Sequence, residues 1–263
     1  LVITTFSNLG GFAVDLNSTT DQVSEFKGVT NSVVQKGFEK LDASGLTGSF
    51  GVDVTGFNNT TTADDITGSP FADTITGGKG DDVLKGGAGS DYITGGAGDD
   101  NITGGLGGDR LYGGTGTNTF NQLTAEAAAF SGTMFASGST GFAFANAEEA
   151  IALGIDVIYD NADPIINLTD NLGIADITNN QLGKAQAWAQ DYAVGDLTLA
   201  DDKGLLFIVN TNDVLFVHNE STATIKVFDA AGGGHTNQWT FNGLNAVYIV
   251  GAVNTTFDDA SFV

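Results

Sequence analysis

Cysteine is absent from the 263 residues, and that absence excludes disulfide staples, thiolate metal sites and a cysteine nucleophile. A fold without cysteine does not depend on the redox state of its surroundings, which suits a protein that crosses between compartments. Histidine is nearly missing too. His218 and His235 have no H-E-x-x-H spacing, and no G-x-S-x-G elbow occurs, so zinc hydrolysis and a serine triad have little to draw on. Both are read as strand-end or loop residues. Basic side chains are few: 9 Lys and Arg stand against 32 Asp and Glu, a formal charge of -23. Such a surface repels nucleic acid and anionic membranes and attracts cations. No apolar run is long enough to span a bilayer, and "LVITTFSNLGGFAVDL" lacks a basic stretch before an apolar one, so no Sec-type signal peptide is expected. The missing initiator Met is read as the mark of a fragment or processed product.

What is present narrows the class. The chain is long enough to bury a sizeable core, and 41% hydrophobic residues with 18 Phe are too many for a disordered tail. Thirty-eight Gly and only 2 Pro indicate many tight turns. Much of that glycine is periodic. Ile66, Ile75, Leu84, Ile93, Ile102, Leu111 and Phe120 follow one another at intervals of nine. Two residues before each stand Asp64, Asp73, Asp82, Asp91, Asp100, Asp109 and Asn118. The units opening at Gly77, Gly86, Gly95 and Gly104 fit G-G-x-G-x-D-x-U-x in full, where U is a large apolar residue. The flanking units decay: "GSPFADTIT" keeps one glycine, and "GGTGTNTFN" has Asn118 in place of Asp.

This pattern resembles the RTX family of secreted proteins with calcium-binding nonapeptide repeats. The spacing points to similar chemistry. Each nonamer is expected to divide into a six-residue loop and a three-residue strand such as "DVL" or "DYI". Two nonamers then make one turn of a flattened coil with the U side chains meeting inside. Loops two repeats apart stack on one side. Adjacent strands lie ~4.8 Å apart, so an ion midway between stacked loops is about 2.4 Å from oxygens on either side, a calcium distance and too long for magnesium. The stacked pairs are Asp64 with Asp82, Asp73 with Asp91, Asp82 with Asp100, Asp91 with Asp109, and Asp100 with Asn118. The resemblance implies that carbonyls of the first four loop residues join the sixth-position side chain. Those residues are Gly77, Gly78, Lys79 and Gly80; Gly86, Gly87, Ala88 and Gly89; Gly95, Gly96, Ala97 and Gly98; and Gly104, Gly105, Leu106 and Gly107. A flexible glycine linker would not hold an apolar residue in phase, and a phosphate-binding loop would be repelled by stacked acids.

The expected fold is mainly β: a parallel β-roll with irregular β rungs before it and an α/β capping domain after it. The boundaries are 1–63, 64–120 and 121–263. In the first segment "FAVDL", "FEKLDASGL" and "SFGVDVTGF" read as rungs of the same coil. In the last, "TAEAAAF", "NAEEAIAL" and "NNQLGKAQAWAQDYA" read as helices, the third with Leu182, Ala185, Trp188, Ala189 and Tyr192 on one face. "DVIYD", "IINL", "LLFIVN", "VLFVHN", "TIKVFD" and "NAVYIV" read as strands, with a hairpin at Thr211 to Asp213. The tail "TTFDDASFV" is similar to the uncleaved signals of type I secretion.

The adjacent acids Glu148 and Glu149, Asp201 and Asp202, and Asp258 and Asp259 do not form a glycosidase pair, because neighbours on a strand face opposite ways. Trp188 and Trp239 are read as core residues. No enzyme activity is expected. The expectation is a secreted protein whose roll folds on extracellular calcium, with sites near the weak ~10⁻⁴–10⁻³ M class. Its partners would be calcium ions and type I secretion machinery. Self-assembly at the cell surface, as an S-layer, filament, matrix component or adhesin, is the leading role. The alternatives are the secretion module of a larger exported enzyme or toxin, and a carbohydrate- or ice-binding solenoid.

Overall fold

The computed structural model describes residues 12–16, 23–26, 29–30, 40–58, 61–122, 146–159, 165–168, 197–199, 203–208, 213–219, 225–229, 238–239 and 245–251. The chain forms two compact units, Leu1–Gln122 and Leu123–Val263.

The first unit is a parallel coil whose successive strands alternate between two sheets. One sheet contains β4 (Lys40–Asp42), β6 (Asp65–Thr67), β8 (Val83–Ala88), β10 (Asn101–Leu106) and β12 (Thr119–Gln122), in that spatial order. The other contains β1 (Phe12–Asp15), β5 (Val52–Thr55), β7 (Thr74–Lys79), β9 (Tyr92–Ala97) and β11 (Arg110–Thr115). Within the repeat, partners are 18 residues apart, as Ile75 with Ile93 and Leu84 with Ile102. The nonamer dictates this. Period-two alternation turns U inward and its neighbours outward, and Ile66, Ile75, Leu84, Ile93, Ile102, Leu111 and Phe120 are all fully buried. The core is therefore a double file of aliphatic side chains closed by one Phe.

The strands are longer than the sequence spacing indicated. They run six residues, for example "YITGGA" over β9, and begin after the aspartate rather than on it. Pairing continues through the glycines because identical loops stack: Gly78 opposes Gly96, and Lys79 opposes Ala97. The second and fourth glycines then reverse the chain in the left-handed region, as at Gly96 (φ 120°) and Gly98 (φ 131°).

The rungs expected before the repeat are present. β1 pairs parallel with β5, β4 with β6, and β5 with β7. The irregular spacing ends in an antiparallel meander, β1 with β2 (Val23–Phe26) and β2 with β3 (Val29–Thr30).

The second unit contains α1 (Ala147–Ala152), where the sequence placed its helix "NAEEAIAL". Asn146 caps it by accepting from the Glu149 N–H at 3.0 Å. Gly154 ends it at φ 82°, with Gly154 N–H bonded to Ile151 O and Ile155 N–H to Ala150 O. The sheet order is β16 (Lys203–Ile208), β17 (Val214–Asn219), β20 (Asn245–Ile249) and β13 (Asp156–Ile158). β16 and β17 are antiparallel with Ile208 opposite Val214, the hairpin expected there. Val214 to Val217 and Ala246 to Ile249 are buried residue by residue, so both sheet faces are covered. β14 (Ile165–Leu168) is the expected "IINL". A second small sheet joins β15 (Leu197–Leu199), β18 (Ile225–Asp229) and β19 (Gln238–Trp239). The helices expected at 124–130 and 179–193, the tail at 255–263, Asp201, Asp202 and His235 lie outside the described residues.

Candidate metal centre

The repeat gathers its sixth-position side chains into two files, one along each edge of the coil. Asp64, Asp82, Asp100 and Asn118 form one; Asp73, Asp91 and Asp109 form the other. All seven are buried. Five are tied to the next turn by their own backbone N–H. Asp64 N–H donates to Asp82 Oδ1 at 2.8 Å, and Asp73 N–H to Asp91 Oδ1 at 2.8 Å. Asp82 donates to Asp100 Oδ1 at 3.0 Å, Asp91 to Asp109 Oδ1 at 2.7 Å, and Asp100 to Asn118 Oδ1 at 3.0 Å. These are the five pairs the spacing indicated. The loop residues stack in the same register. Gly77 to Gly80 lie on the edge of Gly95 to Gly98, and Gly86 to Gly89 on that of Gly104 to Gly107.

The second carboxylate oxygen sets Asp73 apart from the full repeats. Asp73 is satisfied on both oxygens, by Val52 N–H at 2.6 Å, Ser69 N–H at 2.6 Å and Ser69 Oγ at 2.8 Å. Asp64 Oδ2 accepts from Phe57 N–H at 2.7 Å. In the full repeats, Oδ2 of Asp82, Asp91 and Asp100 is buried with no hydrogen-bond donor. Each of these oxygens faces a glycine that opens the same repeat. A Cβ on Gly77 would strike Asp82 Oδ2 and the Gly95 carbonyl oxygen; on Gly86 it would strike Asp91 Oδ2 and the Gly104 carbonyl oxygen. The glycine thus preserves a small cradle bounded by a carboxylate and a carbonyl from the next turn.

The family model for the RTX calcium-binding nonapeptide repeat matches residues 59–93 and 85–120, with four copies. Residues 59–120 thus carry the RTX calcium-binding repeat. The parallel coil they form is the β-roll, and calcium the cofactor, that the sequence resemblance implied. Among solved structures, the chain is similar to the solution structure of the AlgE6R3 subunit from the Azotobacter vinelandii mannuronan C5-epimerase. The match covers 80% of this chain and 82% of that one, at 21% identity and a TM-score of 0.30. No curated protein matches the chain. Among the described residues no helix is long and apolar enough to cross a membrane.

The electrostatics of the RTX roll fit a cation. Burial pushes Asp91 up to about 8, helped by repulsion from Asp109 and Asp73. Burial likewise raises Asp100 to about 7, with Asp82, Asp81 and Asp99 adding repulsion. Asp73 and Asp82 are also raised, by burial first. Hard, anionic oxygens lacking donors beside backbone carbonyls match the oxygen preference of calcium. Among the described residues no three His, Cys, Asp or Glu side chains form a metal cluster, so backbone carbonyls would have to supply the remaining ligands.

The sequence reading missed two contributors. Ser69 completes Asp73, and nothing in a degenerate unit announces it. Asp81 and Asp99, in the fifth position, form an exposed ladder beside the buried one: Asp99 N–H donates to Asp81 Oδ1 at 2.9 Å, and Thr117 N–H to Asp99 Oδ1 at 2.7 Å. The doubled acid in "KGDD" and "AGDD" was the available signal.

Proposed function

We propose that this calcium-binding RTX chain is a secreted protein whose roll folds on meeting extracellular calcium, and that it serves as a non-enzymatic structural or adhesive component of a cell surface. The buried oxygens of Asp82, Asp91 and Asp100 that lack donors carry this reading. Carboxylates stacked turn upon turn repel one another, and glycine keeps the unfolded chain loose, so without a counterion the chain remains open enough for export through a channel. In this reading the sixth-position carboxylates and the carbonyls of the first four loop residues, from Gly77 to Asp109, are the ligands of each cradle. The ends are weaker: Asp73 already holds donors on both oxygens, and Asn118 offers no charge. Bound calcium supplies the positive charge that those buried oxygens lack, and binding only to the folded form stabilises it by mass action. The type I secretion machinery is the matching exporter and residues 121–263 the matching cap and secretion signal. A composition rich in Thr, Asn, Gly and Ala supports the surface role.

Far-ultraviolet circular dichroism during a calcium titration, with molecular size measured alongside, tests the reading. The β signal should rise with a millimolar-range midpoint, and size should increase if surface assembly is the role. Asp91→Ala disturbs two stacked pairs, with Asp73 and with Asp109, and should raise the midpoint severalfold. Asp53→Ala, exposed on the outer sheet face, should leave it unchanged. Equal midpoints for the two variants would end the assignment of these residues.

A further inference from the structure

The two edges of the roll carry the same buried file but different rims. On the edge of Asp82 and Asp100, the fifth position holds Asp81 and Asp99, both exposed. On the edge of Asp73, Asp91 and Asp109, the fifth position is Ala72, Ser90 and Gly108. The 18-residue register fixes this asymmetry, because fifth positions one turn apart fall on the same edge. The third position differs in kind as well: Lys79, Ala97 and Thr115 on the first edge, Pro70, Ala88 and Leu106 on the second. The single Lys79 offsets only part of the added charge.

We propose that the two edges load calcium in order, the Asp81/Asp99 edge first and the Ser90 edge second. This rests on the assignment of the sixth-position files as calcium sites. Asp81 and Asp99 are not needed as ligands for the effect. Each is covalently adjacent to a buried carboxylate of the file, Asp82 or Asp100, and adds a full negative charge within a few ångströms of its cradle. A carboxylate about 8 Å from a divalent ion, even at the dielectric constant of water, is worth a factor of about five in affinity, and two such charges multiply. The ladder that holds them one turn apart keeps both turned to the same edge. The Ser90 edge has no such term, so its cradles fill only at higher calcium. The roll therefore passes through a state with one stapled edge and one open edge, in which the strands are already in register while the second set of loops is still loose.

Calcium titration of the full chain by calorimetry, at low ionic strength, reads the order directly. Wild type should give two phases separated by about tenfold or more. In the double variant Asp81→Asn with Asp99→Asn, the amide oxygen still accepts the Asp99 and Thr117 N–H groups, so the ladder survives and only the charge is lost. Its tighter phase should weaken about five- to twentyfold and merge with the second. Ser90→Asp should tighten the weaker phase alone. Adding salt should narrow the separation in wild type, since the rim charges are exposed and screened. One phase in wild type with no response to either substitution would overturn the ordering while leaving the calcium assignment standing. Absence of any calcium binding would remove both.

Discussion

A glycine in this chain answers one of two different constraints, and substitution distinguishes them. Gly98 sits at φ 131° with its missing Cβ directed at the Gly80 carbonyl oxygen of the turn before, whereas Gly154, at φ 82°, has nothing within 4 Å of that position. Gly154→Ala therefore meets only the backbone cost of a left-handed residue, roughly 1–2 kcal/mol. Gly98→Ala adds a collision with backbone that cannot move without unstacking a loop, and should lose roughly 3 kcal/mol or more. Urea unfolding at saturating calcium compares the two; equal losses would mean that the loops are not stacked as closely as described. The same scale shows what sequence could reveal. The sixth-position aspartates and their partners 18 residues away were legible because a nonamer with one inward position per strand permits a single register. The bonding of Asp73 was not, because it depends on Ser69 and on Val52, 21 residues upstream in an aperiodic rung.

At the scale of the element, the strands are held by what they bury rather than by what they are. Ile93, the second residue of β9, is fully buried between Ile75 and Leu111 of neighbouring strands, while Tyr92 beside it is 42% exposed and rests against Tyr112 at a centroid distance of 5.0 Å. Ile93→Ala should cost about 2–5 kcal/mol, the range for a buried aliphatic residue whose cavity cannot collapse. Tyr92→Ala, losing a cross-strand aromatic contact on an open face, should cost about 1 kcal/mol. Urea melts in excess calcium measure both, and a larger loss at Tyr92 would reverse the inward and outward assignment. Elements with a local signal were readable from the sequence: β5 and β7 by alternation, β14 and β17 as apolar runs, and the α1 helix. β1 and β18 were readable as the strands "FAVDL" and "TIKVFD", but β2, β3, β15 and β19 and the pairings that join them were not. Two- to five-residue strands paired across long separations leave no periodic trace. The strand ends were also misjudged, since pairing through glycines comes from stacking between turns and not from any property of glycine itself.

For the whole molecule, the balance of charge and burial makes stability in the absence of calcium run opposite to that in its presence. In the calcium-free roll Asp73, Asp82, Asp91 and Asp100 have folded-state pKa values raised from 3.8 by burial, to about 8 for Asp91 and about 7 for Asp100. A group raised in the folded state contributes stability that is complete below its unfolded pKa and lost as pH climbs through its folded one. Without calcium, the roll should therefore be firmest at about pH 4 and loosen as pH rises from there to about 8. With calcium in excess the sign changes, because the metal takes only the deprotonated carboxylate and its stabilisation grows as protons leave. Circular dichroism against pH, on metal-free protein and on protein in excess calcium, should give curves of opposite slope. Self-repulsion from the net charge of -23 also weakens the calcium-free state as pH rises. Salt separates the two contributions. At about 0.5 M potassium chloride the exposed charges are screened within a few ångströms, but Asp91 and Asp100 remain buried, so the slope should shrink and persist. A slope abolished by salt would place the effect on the outer surface and leave the buried files without a part in it.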